Sequence, residues 1–225
     1  MDADIEKKAA AAKSLDWIRD GMLVGLGSGS TAAHMIRELG KKVADGGLTI
    51  KAVPSSDETA ELAQNAGIQL LTLEEAGTLD VNIDGADEFD AKLQLIKGGG
   101  GAHLREKIVA HNSKFNIVIA DSGKQVERLG KFKLPLETIP FATKNIMTEL
   151  DGMGLSPVLR KKGDDVYRTD EQNYIVDIDV FEQNDLVALN HRLIQIPGVV
   201  ETGLFLDTTD VIIMGKGEDT VIFEK

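Results

Sequence analysis

Short apolar segments alternate with amphipathic helical patterns up to residue 120, and this alternation restricts the fold more than any other feature of the sequence. In such chains the strands pair in parallel and helices cover both faces of the sheet. We therefore predict an α/β fold with a mostly parallel, doubly wound, Rossmann-like sheet. The predicted strands are residues 22–26, 48–53, 68–71, 79–83, 93–96 and 115–120, and the predicted helices include residues 3–18, 59–66 and 102–112.

The rhythm changes after Gly130, where the predicted elements follow the order β-α-β-β-α-β. That order is typical of a small ferredoxin-like α+β domain. We therefore predict a large Rossmann-like catalytic domain of residues 1–130 and 207–225, and an inserted ferredoxin-like lobe of residues 131–206. Residues 210–223 alternate apolar and polar side chains again and are expected to return to the large sheet.

A net charge of −12 and the absence of cysteine exclude several classes of protein. Nucleic acid and anionic membranes bind basic faces, so neither partner is expected. A chain without cysteine has no disulfide, iron–sulfur cluster or thiol nucleophile. No apolar run approaches the ~18 residues of a membrane span, and the first residues do not resemble a secretory signal. We expect a cytoplasmic protein that holds an anionic substrate with local N–H groups and a few lysines.

The first motif that carries chemistry is residues 25–31, GLGSGST, between a predicted strand and a predicted helix. Glycines let backbone amides approach an anion, and the helix start supplies unpaired N–H groups. The motif matches neither a dinucleotide fingerprint nor a P-loop, so a monophosphate fits better. The alternative is a simple turn in which Ser30 or Thr31 caps the helix. The candidate phosphate ligands are Ser28, Gly29, Ser30 and Thr31.

The second motif is the acidic end of the predicted strand at residues 79–83, VNIDGADE. Open parallel sheets bind ligands at the carboxyl ends of their strands. Asp84, Gly85, Ala86 and Asp87 are therefore candidate contacts for sugar hydroxyls. The spacing of the acids does not match an EF-hand calcium loop. The alternative is a solvated acidic turn.

The third motif is residues 97–106, KGGGGAHLRE. A run of glycines costs backbone entropy, which favours amides that approach a ligand closely, and a flexible linker is the alternative. Glu106 lies one turn into the next predicted helix, between Ala102 and Ala110, where small neighbours can partly desolvate a carboxylate. Its alternative is an ordinary glutamate near a helix N-terminus. The candidate ligands of the run are Lys97, Gly98, Gly99 and Gly100.

No metal and no cofactor is predicted. His103, Glu106 and His111 do not have the spacing of a zinc-binding helix. Two further lysines are candidates to reach a phosphate, Lys7 on the N-terminal helix and Lys124 in the segment IADSGKQV. The alternative for each is an ordinary solvated charge.

Seven separated segments resemble, in the same order, those of the ribose-5-phosphate isomerase A family. They are GLGSGST, VNIDGADE, LIKGGGG, REKIVA, IADSGKQV, LGKFKLPLE and IPGVVETGLF. The resemblance implies a cofactor-free, metal-independent enzyme that interconverts ribose 5-phosphate and ribulose 5-phosphate in the pentose phosphate pathway. It also implies a homodimer or a dimer of dimers.

The resemblance also implies roles for individual residues. It assigns the proton acceptor to Glu106, an acidic pair to Asp84 and Asp87, and a distal lysine to Lys124. The sequence departs from the family pattern at Ser28, where threonine is frequent, and at residues 101–104, GAHL. The implied substrate loop is Ser28 to Thr31, and the implied lysine and glycines are Lys97 to Gly100.

Two other functions remain as alternatives for a chain with these motifs. A glucosamine-6-phosphate deaminase-like enzyme would also use a phosphate loop and carboxylates. A sugar-phosphate sensor would bind without turnover and would normally carry a DNA-binding domain, for which we expect the segment before the first predicted strand to be too short. We therefore expect the chain to be an aldose–ketose isomerase.

Overall fold

The computed structural model describes residues 2–225 and divides into two compact units. The first unit consists of the chain up to Ala86, Arg105–Gln125 and Asp207–Lys225, and the second of Asp87–Leu104 and Val126–Leu206. Among residues 2–225, no helix combines the length and the apolar character that crossing a bilayer requires.

The helices and strands follow one another along the chain as the alternating pattern predicts. The helices are α1 (Ala3–Ser14), α2 (Ser30–Ala44), α3 (Asp57–Asn65), α4 (Leu73–Ala76), α5 (His103–His111), α6 (Thr143–Gly152) and α7 (Leu186–Ile194). The strands are β1 (Leu23–Leu26), β2 (Lys51–Pro54), β3 (Gln69–Leu70), β4 (Val81–Gly85), β5 (Glu88–Phe89), β6 (Leu95–Ile96), β7 (Asn116–Asp121), β8 (Leu134–Thr138), β9 (Val158–Leu159), β10 (Lys161–Lys162), β11 (Asp165–Val166), β12 (Tyr174–Ile178), β13 (Val199–Thr202), β14 (Leu204–Phe205), β15 (Val211–Lys216) and β16 (Asp219–Glu224).

The first unit is built on a sheet with the strand order β16-β15-β7-β4-β1-β2-β3. Its neighbouring strands are parallel except at the β15–β16 edge, which is antiparallel. The sheet confirms the predicted mostly parallel α/β fold and the return of residues 210–223. Central residues such as Ile83, Ile117 and Ile119 are completely buried, as expected for strands that are covered on both faces.

Parallel pairing brings the ends of four strands to the same edge of this sheet. Leu26 pairs with Pro54 on one side and with Ile83 on the other, and Ile83 pairs with Ile117. The segments that follow β1, β2, β4 and β7 therefore begin at one edge, where ligands of open α/β sheets bind.

The second unit contains an antiparallel sheet with the strand order β13-β8-β12-β9. With α6 and α7 the elements run β-α-β-β-α-β, which confirms the ferredoxin-like lobe. Leu134, Leu136, Val176 and Ile178 from the sheet and Leu193 from α7 belong to one buried apolar cluster. The small antiparallel hairpin of β10 and β11 lies between β9 and β12 in the chain.

The expected strand at residues 93–96 does not join the parallel sheet. Its residues Leu95–Ile96 form β6, which pairs antiparallel with β5 and β14 in a separate three-stranded sheet. Residues 87–104 and 126–130 accordingly cluster with the second unit, whereas the predicted domain boundary lay at residues 130/131. Apolar periodicity indicates that a strand exists but not which sheet it joins, and this strand is only two residues long.

Candidate active site

In the first unit, the glycine-serine loop after β1 is bound to the acidic end of β4. The Gly27 amide donates to the carbonyl of Ile83 over 2.9 Å, and the Ser28 amide donates to Oδ1 of Asp84 over 3.0 Å. A Cβ at Gly27 would lie 2.1 Å from that oxygen and 2.4 Å from the Asp84 Cα, so only glycine allows this approach. The structure thus brings together the predicted loop and the predicted acid Asp84, which is buried.

The loop ends at the start of α2, where Gly29 is the N-cap residue with φ of 89°. No side chain caps this helix, so neither Ser30 nor Thr31 is the N-cap. The first-turn amides and the positive end of the helix dipole are therefore available to an anion. Lys7 from α1 donates to Oγ of Ser30 over 3.0 Å, which places a cation beside this helix start.

A cluster of hydroxyl groups surrounds Ser28 and was not predicted. Its Oγ lies 2.8 Å from Oγ of both Ser55 and Ser56 and 3.1 Å from Oγ1 of Thr59. Ser56 also caps α3 by accepting from the Thr59 amide. The signal in the sequence is the segment SSDET, which has the composition of a helix cap and directly follows strand β2 at the same sheet edge.

Glu6 on α1 joins the elements that carry the two candidate lysines. It is only 2% exposed, and it accepts from the amide and hydroxyl of Ser122 and from the Gly217 amide. The Ser122 hydroxyl and the two backbone amides hold the pKa of Glu6 below its ordinary value. Glu6 precedes Lys7, and Ser122 begins the short 3-10 turn that contains Lys124. The Glu6 carboxylate thereby fixes α1, which carries Lys7, to the turn that carries Lys124.

Glu106 lies in the first turn of α5 and is 5% exposed, so its carboxylate is largely screened from water. Further along the helix, a Cβ at Gly25 would lie 2.7 Å from Cγ1 of Val109, which shows how closely α5 packs on β1. Asn116 on β7 also donates to the Ala110 carbonyl at the end of α5 over 3.1 Å. These contacts fix the helix that carries the predicted base.

In the second unit, Lys97 follows β6 and is 4% exposed. Its amide donates to the Gly203 carbonyl over 2.9 Å, and its ammonium group lies 5.4 Å from the centre of the Phe205 ring. An aromatic face attracts a cation at this distance. Lys97 is therefore a cation of low exposure that directly precedes the glycine run.

The glycine run that follows Lys97 is a packed turn and not a flexible linker. Gly98 and Gly101 have φ of 106° and 84°, values that favour glycine. The Gly99 amide donates to Oδ2 of Asp87 over 2.7 Å, which brings together two predicted site segments. His103 is buried, and a Cβ at Gly98 would lie 2.7 Å from its Nδ1, so His103 packs against the run.

The predicted residues not yet described are Gly85, Ala86 and Thr31. Gly85 ends β4, Ala86 follows it, and Thr31 is buried in the first turn of α2. Asp84 and Asp87 belong to different units, and so do Glu106 and Lys97. Within residues 2–225, no three histidine, aspartate or glutamate side chains form a group that could hold a metal ion.

Comparison with known proteins identifies one family. A family model described as ribose 5-phosphate isomerase A (phosphoriboisomerase A) matches residues 51–219. The ribose-5-phosphate isomerase A of Ruegeria sp. (strain TM1040) is 49% identical over 225 residues, covering 97% of this chain and 86% of that protein. The protein of the same name from Jannaschia sp. (strain CCS1) is 48% identical, with the same coverage.

Solved structures agree with the sequence comparison. A D-ribose-5-phosphate isomerase in complex with phospho-erythronic acid superposes with a TM-score of 0.96 at 38% identity, covering 100% of both chains. Ribose 5-phosphate isomerase A from Methanocaldococcus jannaschii superposes with a TM-score of 0.93 at 38% identity, covering 99% of both chains.

Proposed function

Because this chain belongs to the ribose-5-phosphate isomerase A family and is an aldose–ketose isomerase, we propose that it interconverts D-ribose 5-phosphate and D-ribulose 5-phosphate through an enediolate, with Glu106 as the general base. The observation that carries the proposal is the burial of a carboxylate in the segment that follows the glycine run. Such a group can move a proton between adjacent carbons without competition from bulk water.

The proposed reaction begins with the open-chain aldose. Glu106 removes the hydrogen of C2 as a proton, a double bond forms between C1 and C2, and the carbonyl electrons move to O1. The O2 proton moves to O1, and the carboxyl group of Glu106 returns its proton to C1, which leaves a carbonyl at C2. Protons and electrons balance within the sugar and the single carboxyl group, so the step requires no redox partner.

Negative charge develops on the enediolate oxygens and needs donors that are already in position. Of the predicted donors Lys97 and the amides of Gly98 to Gly100, we assign this role to Lys97 and the amides of Gly98 and Gly100, because the Gly99 amide already donates to Asp87. Asp84 and Asp87 are proposed to orient sugar hydroxyls and to assist opening of the furanose ring. The related structure with phospho-erythronic acid supports an enediolate, because that compound combines a phosphate with a carboxylate, an anionic group that resembles the enediolate.

The phosphate group of the substrate is proposed to bind the loop from Ser28 to Thr31, with Lys7 and Lys124 as the cations. The uncapped start of α2 and the hydrogen bond from Lys7 to Ser30 support this assignment. Because the chain carries a net charge of −12, such local donors must hold a dianion against the field of the whole protein.

We further propose that the enzyme acts in the pentose phosphate pathway in the cytoplasm. The family resemblance supports the pathway and also a homodimer or a dimer of dimers. No role for nucleic acid or a membrane is included in the proposal, since the acidic composition disfavours both.

An assay of ribose 5-phosphate isomerisation in excess chelator tests the proposal. We expect full activity after exhaustive chelation, because the proposed donors are a lysine and backbone amides. The matched substrate control is glucosamine 6-phosphate, which should not turn over. Loss of activity that a divalent ion restores would contradict the metal-independent mechanism, and turnover of the amino sugar alone would favour a deaminase.

Replacing Thr31 with valine tests the phosphate loop. A hydroxyl–phosphate contact is present in both substrate and transition state, so Thr31→Val should raise KM about tenfold with little change in kcat. Thr148→Val, an exposed position on α6, is the matched control and should leave both constants unchanged. A large fall in kcat at unchanged KM would contradict a simple phosphate-holding role for Thr31.

A further inference from the structure

Two side chains of the second unit bind the carbonyl groups of the glycine run. Nη1 of Arg160 donates to the Gly98 carbonyl over 2.7 Å and to the Gly99 carbonyl over 3.1 Å. The hydroxyl of Tyr167 donates to the Gly100 carbonyl over 2.9 Å. Every carbonyl from Gly98 to Gly100 is therefore held by a side chain located about 60 residues further along the chain.

Arg160 is itself held in place. Its Nε donates to Oδ2 of Asp177 over 2.9 Å and its Nη2 donates to the other carboxylate oxygen, which makes a bidentate pair. The side chains of Arg160 and Asp177 are 14% and 19% exposed, so water screens this pair only weakly. The Arg160 amide also donates to the Ile175 carbonyl over 2.8 Å within the ferredoxin-like lobe.

Tyr167 is fixed by its own segment of chain. Its amide donates to the Arg160 carbonyl over 3.0 Å, and the Arg160 guanidinium lies 6.0 Å from its ring centre. Two residues later, Thr169 donates to the buried carboxyl group of Glu137 on β8 over 2.9 Å, and Asn173 donates to the same oxygen over 2.9 Å. Burial raises the pKa of Glu137 above its ordinary value. The loop that carries Tyr167 is thus anchored to the sheet of the lobe.

Holding a carbonyl also orients the amide of the same planar peptide unit. Of the amides in the run, that of Gly99 donates to Asp87 and that of Gly101 donates to the Gly98 carbonyl over 3.0 Å. Like the Gly98 amide, the Gly100 amide donates to no acceptor within residues 2–225. It shares a peptide plane with the Gly99 carbonyl that Arg160 binds, and the next carbonyl is held by Tyr167.

We propose that Arg160 and Tyr167 are positioning residues, which orient the Gly100 amide to donate a hydrogen bond to the enediolate oxygen. The inference rests on the proposed function, in which the glycine run stabilises that oxygen. A peptide group that is oriented before the substrate binds does not need to reorganise as charge develops, which is the basis of oxyanion stabilisation. Neither residue needs to touch the substrate.

The test compares two conservative variants with two matched controls. Arg160→Lys replaces the planar guanidinium by a single nitrogen, which cannot keep the bidentate pair with Asp177 while it binds the glycine carbonyls, and Tyr167→Phe removes only the hydroxyl. We expect kcat to fall about ten- to a hundredfold in Arg160→Lys and about three- to tenfold in Tyr167→Phe, with KM changed less than twofold. The controls are Arg168→Lys and Tyr174→Phe, an arginine and a tyrosine of the same lobe that contact each other and not the glycine run.

A binding measurement separates positioning from a general structural effect. The affinity for phospho-erythronic acid, whose carboxylate stands in for the enediolate, should fall by the same factor as kcat/KM, whereas the affinity for inorganic phosphate should not change. An equal loss of both affinities, or unchanged kcat in both variants, would overturn the inference. If Arg160→Lys fails to fold, Tyr167→Phe decides the question alone.

The same set of assays distinguishes this inference from the proposed function. A wild-type protein that does not isomerise ribose 5-phosphate would refute the proposed function. A wild-type protein that isomerises it, together with an inactive Glu106→Gln variant and fully active Arg160→Lys and Tyr167→Phe variants, would refute the positioning role alone.

Discussion

Glu106→Gln is expected to lower kcat for ribose 5-phosphate by at least ~10²-fold and by as much as ~10⁴-fold, with a much smaller change in KM. Glutamine keeps the size of the side chain and its ability to form hydrogen bonds but lacks a basic oxygen. Glu106 is 5% exposed on a helix that packs against β1, so water cannot readily replace the missing base. Steady-state kinetics in both directions measure the loss.

A second measurement follows the proton itself. Exchange of the substrate C2 proton with deuterated solvent should fall in parallel with kcat, because both depend on the same proton abstraction. Glu61→Gln on the exposed face of α3 is the matched control and should leave kinetics and exchange unchanged. An isomerisation rate near that of the wild type in Glu106→Gln would show that the base lies elsewhere, and Asp84 would become the leading candidate.

Lys97→Met is expected to lower kcat by about 10²–10³-fold, the loss that typically follows removal of one donor to a developing oxyanion. Methionine keeps an unbranched side chain beside the Phe205 ring but carries no charge. The ammonium group is proposed to act on charge that develops during the reaction, so KM should change by less than about threefold.

The control for Lys97→Met is Lys92→Met, an exposed lysine of the same unit, which should retain the wild-type rate. Thermal unfolding of both variants checks the fold, because Lys97 is buried and its replacement changes the packing. A properly folded Lys97→Met enzyme with wild-type kcat would show that the enediolate is stabilised without this lysine. A rise in KM alone would instead indicate that Lys97 binds the ground state.

Much of the fold could be predicted because strands and helices each require a characteristic spacing of apolar residues along the sequence. The alternation up to residue 120 predicted the parallel sheet, and the β-α-β-β-α-β order predicted the ferredoxin-like lobe. Prediction was weakest at β5, β6 and β14, strands of two residues each. Strands of this length show too little periodicity to indicate which strands they pair with. For this reason the predicted boundary at residues 130/131 differs from the division into the two units.

The sequence could suggest candidate site residues where they lie together in one short segment. The glycine-serine loop, the acid at the end of β4 and the glycine run were recognised by composition and position. The hydroxyl cluster around Ser28 was missed because it joins residues 27 to 31 positions apart in the chain. Glu6 was missed for the same reason, since its partners lie 116 and 211 positions away.

The type of sheet, the order of the elements and the kinds of groups available for a sugar phosphate follow from side-chain periodicity and local backbone preferences, which can be read from the sequence. Tertiary packing sets which glycine carbonyls Arg160 and Tyr167 hold, which amides of the run have no acceptor within residues 2–225, and how Glu6 fixes the elements that carry two lysines. Those relations depend on contacts between distant segments. Such contacts form only when folding brings the distant segments together and the packed core fixes the distances between these segments.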